Sequence, residues 1–449
     1  MGFRSADARV TRAPAGSGAI AIWGHFHGNN LGDELVVSTI LEAIRARLGA
    51  VGVRAISMAP CDTETRHGLE TLPLNPSSRS RPAASVNGGP PVERRTHPTW
   101  HPRSLVKTMQ RLLAELRLVV RSRRALRDVD LIVVAGSGQL DDAWHGPWRH
   151  PYDVFRWAVL ARLAGTRMIF PSVGAGPIDR RLSAFFVRTS LNWAEYVSAR
   201  DGHTAELLAS IGVRGDLPHV PDMGWAWRGF RGVQATESSA STVVGVNVIS
   251  HCDPRYWPED NAPRYEAYLG KMAELVTRLA EEGRQVLVFS QQREADRSAA
   301  NDLRDLLVRQ GRGIDTRIEW AIDDIATVDD FAGTVARCDY VIACRFHSVL
   351  VAHALGIPTL GLAYYEKTRE LLNQVGHPER CLDIEEFTPD EVVEAFARLE
   401  REDDLDGRAA LLAEAQRMRA LVEAQFDALF GGRRAPRPAA PTRSAALRA

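Results

Sequence analysis

The chain is 449 residues long, 45% hydrophobic and 25% charged, with 56 Lys and Arg against 56 Asp and Glu. A formal net charge of zero argues against bulk attraction to nucleic acid and leaves basic patches as local features. The length allows two or three globular domains, and no run of about 18 apolar residues is present to span a membrane.

Taken in order, residues 1–15 lack any apolar period and are expected to be disordered. Ala19 to Trp23 predicts a strand, followed by the loop GHFHGNNLGDE and a helix from about Asp33 to Leu48. That helix carries Leu35, Val36, Thr39, Ile40, Ala43, Ile44 and Leu48 at a helical period. The loop glycines Gly24, Gly28 and Gly32 match neither the dinucleotide fingerprint nor the P-loop, so no nucleotide is implied. Asn29, Asn30 and Asp33 either line a site at the carboxyl end of the strand or cap the helix. Seven prolines between Pro73 and Pro102 remove too many ladder donors for regular structure, so 73–104 is expected to be a flexible insertion.

A helix then runs from Leu105 to Arg127, with Lys107, Arg111, Arg117, Arg121, Arg123, Arg124 and Arg127 against only Glu115. Its apolar side is expected to be Leu105, Met109, Leu112, Leu113, Leu116 and Val120. Such a helix either lies on an anionic membrane surface or is an ordinary surface helix. Asp130 to Ala135 predicts a buried strand closed by Gly136, Ser137 and Gly138. Trp144, Trp148 and Tyr152 follow; they read either as a platform for the C–H faces of a sugar or as a core cluster. Arg167 to Pro171 and Tyr196 to Ala199 predict further strands, leading into SVGAGPI with Gly174 and into Arg200-Asp201. His219 to Asp222 is expected to be a last short strand of a mostly parallel sheet. Residues 16–227 thus form one α/β unit, and the Gly- and Ser-rich stretch 228–242 reads as a linker.

A second α/β unit is expected over 243–387, with strands Val243 to Ile249 and Gln285 to Ser290 and helices Arg264 to Glu282 and Asp296 to Gln310. Its centre is CDYVIACRFHSVLVAHALGIPTLGLAYYEK, from Cys338 to Lys367. Tyr340 to Ala343 reads as a strand, Arg345 to His347 as a tight turn, Ser348 to Leu355 as a helix and Ile357 to Leu362 as the next strand. In parallel sheets ligands bind at the carboxyl ends of strands, and helix N-termini favour anions. Arg345, His347 and Lys367 converging there suggest an acidic small molecule, the alternative being a capped and solvated junction. A helical region is expected over 388–430 and a disordered tail over 431–449. The five cysteines (Cys61, Cys252, Cys338, Cys344, Cys381) form no C-x-x-C pair, which predicts reduced thiols in a cytoplasmic protein and no metal site. Arg4, Arg9 and Arg12 precede no apolar segment of the signal-peptide kind.

Together the motifs GNNLGDE, AGSGQLDD, PSVGAGP, SARDGHTAELLASIG with Pro221-Asp222, GVNVIS, VLVFSQ with Asp296, and CRFHSVLVAHALGIPTLGLAYYEK resemble the polysaccharide pyruvyl transferase family. The likeness covers roughly 19–385 without the insertion. It departs in having Phe346 where the family often has Leu, and in the long insertion itself. The resemblance implies two Rossmann-like domains with mostly parallel sheets facing across a cleft, in a GT-B-like arrangement. It implies phosphoenolpyruvate as donor substrate and no cofactor. The acceptor would be a sugar of a cell-surface glycan, in free or lipid-linked form. The enzyme would be cytoplasmic, with peripheral contact to the inner face of an anionic membrane as one expectation. Arg345 and Lys367 are then expected to hold the donor, and Ser348 to start the helix that faces it. His347 is expected to be the acid and Asp33 the base. Asn29, Asn30, Gly32, Ser137, Gly138, Gly174, Arg200, Ser290, Gln291 and Trp148 complete the expected binding surface. A nucleotide-sugar glycosyltransferase of the same shape is the alternative, with Glu266 and Glu274 at E-x7-E spacing; a non-catalytic glycan-binding protein is a third reading.

Overall fold

The computed structural model describes residues 18–431 except 25, 27–28, 77, 79–101, 137, 139, 144–145, 234–240, 258–260 and 313–315. The expectations for both tails, most of the insertion, residues 234–240 of the linker, Gly28, Ser137 and Trp144 lie outside the described residues.

Runs such as AIAIW, VDLIVV, VVGVN and QVLVF are apolar on both faces, as central strands of a parallel sheet must be when helices cover both sides. They build two six-stranded parallel sheets. The first contains β1 (Ala19–Trp23), β2 (Val53–Ser57), β3 (Glu70–Pro73), β4 (Val129–Val134), β5 (Arg167–Val173) and β6 (Tyr196–Ala199), in the order β3-β2-β1-β4-β5-β6. The second contains β7 (Val243–Asn247), β8 (Gln285–Phe289), β9 (Ile318–Ala321), β10 (Tyr340–Ala343), β11 (Thr359–Ala363) and β12 (Cys381–Asp383), in the order β12-β11-β10-β7-β8-β9. Read from its own first strand, each sheet has the doubly wound order of a dinucleotide-binding fold, with the strand order reversing beside β1 and β7.

Helices of the first half are α1 (Leu31–Leu48), α2 (Pro60–His67), α3 (Pro102–Ala125), α4 (His150–Ala164), α5 (Arg181–Trp193) and α6 (Gly202–Ser210). Those of the second are α7 (Ala262–Glu281), α8 (Ala295–Arg309), α9 (Val328–Val335), α10 (Phe346–Ala354), α11 (Glu366–Gln374), α12 (Pro389–Glu402) and α13 (Leu405–Phe430). The last returns to the first half. Glu423 and Asp427 pair with Arg47 of α1, and Gln425 accepts from Tyr196 and Ser198 while donating to Ser172. A continuous apolar core runs from Ile20 and Leu35 through Met223 and Trp225 to Phe346, Val349 and Phe426. The two sheets are therefore joined by packing behind the cleft that separates their carboxyl ends.

Several expectations are corrected. His219 to Asp222 is not a strand; a single bridge from Ala199 to His219 is followed by a 3-10 turn over Met223–Ala226. Segments β2, α2, β3, α4, β9, α9, α11 and β12 had no predicted counterpart. Helix α10 begins at Phe346 rather than Ser348, so His347 lies within its first turn and Arg345 is its N-cap residue. Lys367 follows β11, as read from the sequence, and lies in the first turn of α11, a helix the sequence reading did not include.

Candidate functional site

The strand ends of both sheets open into one cleft of about 570 Å3. From the first half come Asn29, Asn30 and Asp33 after β1, Gly138 and Asp141 after β4, and Arg200 after β6. The second half contributes Gln291 after β8, Arg345 and His347 after β10, and Tyr364 and Lys367 after β11. The volume is that of a small-molecule site.

A polar seam fixes one half against the other. Asn30 caps α1 by accepting from the Gly32 N–H at 3.1 Å, and its amide donates to Asp33 Oδ2 at 2.8 Å. Across the seam Gln291 Nε2 donates to Asn30 Oδ1 at 3.1 Å, and Ser348 Oγ donates to Gln291 Oε1 at 3.1 Å. Backbone bonds from Leu31 N to Gln291 O and from Arg293 N to Asn29 O lie beside them. The predicted Asn30, Gln291 and Ser348 are thus brought together as a structural relay. Ser348 and Ser290 are buried and do not line the cleft.

His347 stands where the seam meets the cleft. A Cβ at Gly32 would fall 2.1 Å from its Nδ1, so only glycine permits the imidazole to lie there. Its Nε2 has no hydrogen-bond partner and lies 3.7 Å from Asp222 Oδ1, a distance at which the attraction is coulombic. Asp222 is fully buried and also receives the Gly224 N–H at 2.8 Å and Arg200 Nη1 at 3.2 Å. Burial alone would raise this carboxyl; His347, Arg200 and Gly224 outweigh it and hold its pKa below the ordinary value.

Arg200 is committed to structure. Its guanidinium pairs with Asp222 and Asp201 and lies 4.4 Å from the centre of the Phe346 ring. A Cβ at Gly174 would approach it to 2.4 Å, which explains the glycine in SVGAG; Gly174 itself is not part of the cleft lining. Phe346 thereby has a cation–π role, and the cation it covers is the predicted Arg200.

Arg345 corrects the expectation of a free clamp. Its Nη2 and Nε donate to Asp296 at 2.5 and 3.0 Å, and its Nη1 donates to the Tyr364 hydroxyl at 2.9 Å. Asp296 is wholly buried and its remaining acceptor capacity takes the Gln292 N–H at 2.9 Å. Burial opposes the Arg345 charge, but Asp296 and Tyr364 more than compensate and keep it firmly cationic. Of its five N–H groups three are used, leaving two for a ligand. Burial would raise the Tyr364 phenol; Arg345 and Lys367 overcome this and lower it from its usual value. Lys367 Nζ stands 5.6 Å from the ring centres of both Tyr364 and Tyr365, with no ion-pair partner among the described residues.

Trp148 is placed elsewhere. It is 65% exposed, absent from the cleft lining, and packs on Tyr152 and Phe186 at 5.5 and 5.8 Å. Asp222, Asp296 and Tyr364 were missed as site residues. All three stand in or beside motifs of the sequence, but a motif does not reveal which cation a side chain meets. Among the described residues, His251, Cys252 and Glu385 have the spacing of a metal group, yet Glu385 is already bonded to Arg264 and His251.

Two doubly wound sheets with a cleft between their carboxyl ends define the GT-B-like class. Matching solved structures include Anabaena HepE in complex with UDP-glucose, at 12% identity and TM-score 0.54, over 92% of this chain and 99% of that one. UDP-GlcNAc 2-epimerase from Neisseria meningitidis, bound to UDP-GlcNAc, matches at 10% identity and TM-score 0.54, over 92% and 99% of the two chains. At these identities the likeness is one of fold. A family model described as polysaccharide pyruvyl transferase matches residues 30–366. The chain belongs to that family.

Proposed function

We propose that the cleft transfers pyruvate from phosphoenolpyruvate to a sugar of a cell-surface polysaccharide or its precursor, forming a ketal and releasing phosphate. The observation that carries this is the cationic corner made by Arg345, Tyr364 and Lys367 at the start of α10, with two guanidinium N–H groups and an ammonium left for an anion. Phosphoenolpyruvate brings a carboxylate and a phosphate of about −1.5 to −2 charge, which such a corner matches. The Tyr364 oxygen accepts from Arg345, so its own proton is available to a donor oxyanion. Asp33 and Asp141 lie on the first-half side of the cleft, where sugar hydroxyls would be held and deprotonated.

In this reading His347 protonates the methylene carbon, aided by Asp222, and the adjacent carbon becomes oxocarbenium-like. One sugar hydroxyl adds there, the C–O bond to phosphate breaks, and a second hydroxyl closes the ketal. Of the two hydroxyl protons lost, one replaces the proton given to carbon and the other leaves with phosphate. Asp33 is the base for the hydroxyls, and no cofactor enters the balance. Incubation with a lipid-linked glycan extract and either phosphoenolpyruvate or nucleotide sugars tests the reading. Acceptor-dependent phosphate release supports it; release of a nucleoside diphosphate instead would assign the cleft to glycosyl transfer.

A further inference from the structure

Large apolar side chains exposed to solvent are not scattered over this molecule. Among the described residues, eight of the eleven lie on α3, α4, α5 or the 3-10 turn Gly146–Trp148. On α3 the buried side is Leu118 and Ser122, while Leu113, Leu116 and Val120 point away at 44%, 61% and 49% exposure. Over Leu113, Leu116 and Val120 the apolar side read from the sequence is therefore the solvent side. The three residues follow helical spacing along about 10 Å of axis. Arg117, Arg121 and Arg124 flank one edge and Arg123 the other, with Arg127 just beyond the helix end. None of these arginines has an ion-pair partner among the described residues.

The neighbouring helices, reached through the opposite side of α3, carry a second group of exposed apolar residues. Glu115 of α3 pairs with Arg156 of α4, whose guanidinium lies 5.5 Å from the centre of the Tyr152 ring. Tyr152 meets Trp148 and Phe186, and the ring contacts pass on through Phe155 to Phe185 and Trp193. Arg162 lies 5.4 Å from the centre of Trp193 and sits beside the exposed Leu163. Aromatic rings with polar edges, aliphatic residues and unpaired arginines on one surface are the composition of a membrane interface. Exposed apolar residues gathered on neighbouring elements in this way mark an interaction site.

We propose that this face docks on an anionic lipid bilayer, with Leu113, Leu116 and Val120 at the headgroup boundary and the arginines on lipid phosphates. Charge selects this occupant. A second copy of the chain would bring the same arginines together, and like charges across an interface oppose association. No helix among the described residues is long and apolar enough to cross a membrane, so the contact is peripheral. Trp148 lies two residues from His150, which lines the cleft.

Flotation of the full chain with phosphatidylcholine vesicles, with and without phosphatidylglycerol, tests the proposal and needs neither donor nor acceptor. Its failure is therefore separate from failure of the pyruvyl transfer reading. The expected result is recovery with the anionic vesicles, falling about fivefold for each of Arg117, Arg121 and Arg124 changed to Gln. Leu116→Gln with Val120→Gln, both at exposed positions, should keep the melting temperature and lose binding that survives high salt. Equal recovery on neutral and anionic vesicles would overturn the proposal. So would an apolar variant that floats like the parent, which would leave only electrostatic adsorption. A dimer in light scattering that the apolar variant converts to monomer would assign the face to self-association instead.

Discussion

Arg345 and Lys367 share one corner of the cleft but differ in what else depends on them. Arg345 holds buried Asp296 in a forked pair, so Arg345→Lys leaves that carboxylate half-satisfied. Lysine keeps the charge but not the forked hydrogen bonds, a loss of about 1.5–3 kcal/mol that thermal melting should show along with weakened donor use. Lys367 has no such partner, so Lys367→Gln separates binding from stability. It should raise the KM for phosphoenolpyruvate by about ten- to a hundredfold with an unchanged melting temperature. An unchanged KM would remove Lys367 from the donor site. His347→Gln keeps a polar side chain but cannot deliver a proton. Steady-state kinetics should show kcat down by about a hundredfold or more with a KM close to the parent's. At this scale the sequence revealed the cations, because strand-end Arg, His and Lys are unusual company. It did not reveal their partners: Asp296 stands 49 positions before Arg345, and no local pattern joins the two.

Among the elements, the β1–α1 loop and the start of α10 are built for each other. The sequence shows a strand, a Gly- and Asn-rich loop and a periodic helix, but not that Gly32 faces an imidazole from the opposite half. Gly32→Ala puts a methyl within 2.1 Å of His347 Nδ1, and the ring has to move. Helix geometry at Gly32 is ordinary, so the expected outcome is native circular dichroism with turnover reduced by about a hundredfold through misplacement of the ring. A fully active alanine variant would show that His347 does not work from this position. The central strands were legible because their apolar runs are long and bounded by turns. Strands β2, β3, β9 and β12 were not: each lies at or next to a sheet edge and includes half-buried or polar residues that weaken the apolar signal. For α3 the sequence left two readings open for a related reason. Periodicity shows that one face of a helix is apolar, and only packing shows whether that face is covered.

Over the whole molecule, the continuous core and the return of α13 couple the two halves, and α10 lies at their junction. His353 near the end of α10 is buried, and that burial, with His377 and Arg380 nearby, pushes its pKa down to about 3. The unfolded chain takes up this proton below about pH 6.5 while the folded chain does not, so the unfolded state binds more protons and stability rises with pH through that window. Acidification from neutrality should therefore destabilise the fold by up to about 1.4 kcal/mol per pH unit from this group. Melting curves between neutral pH and pH ~4 should show the slope, and His353→Leu should reduce it. An identical slope in the variant would place the sensitivity elsewhere. The central claim concerns the cleft, and its most direct measurement is carbon NMR of a glycan acceptor incubated with the protein and phosphoenolpyruvate labelled at its enolic carbon. The account predicts that the label appears as a quaternary ketal carbon on the glycan, matched by released phosphate and lost in His347→Gln. Label that stays in phosphoenolpyruvate, while the same preparation transfers sugar from a nucleotide sugar, would contradict it.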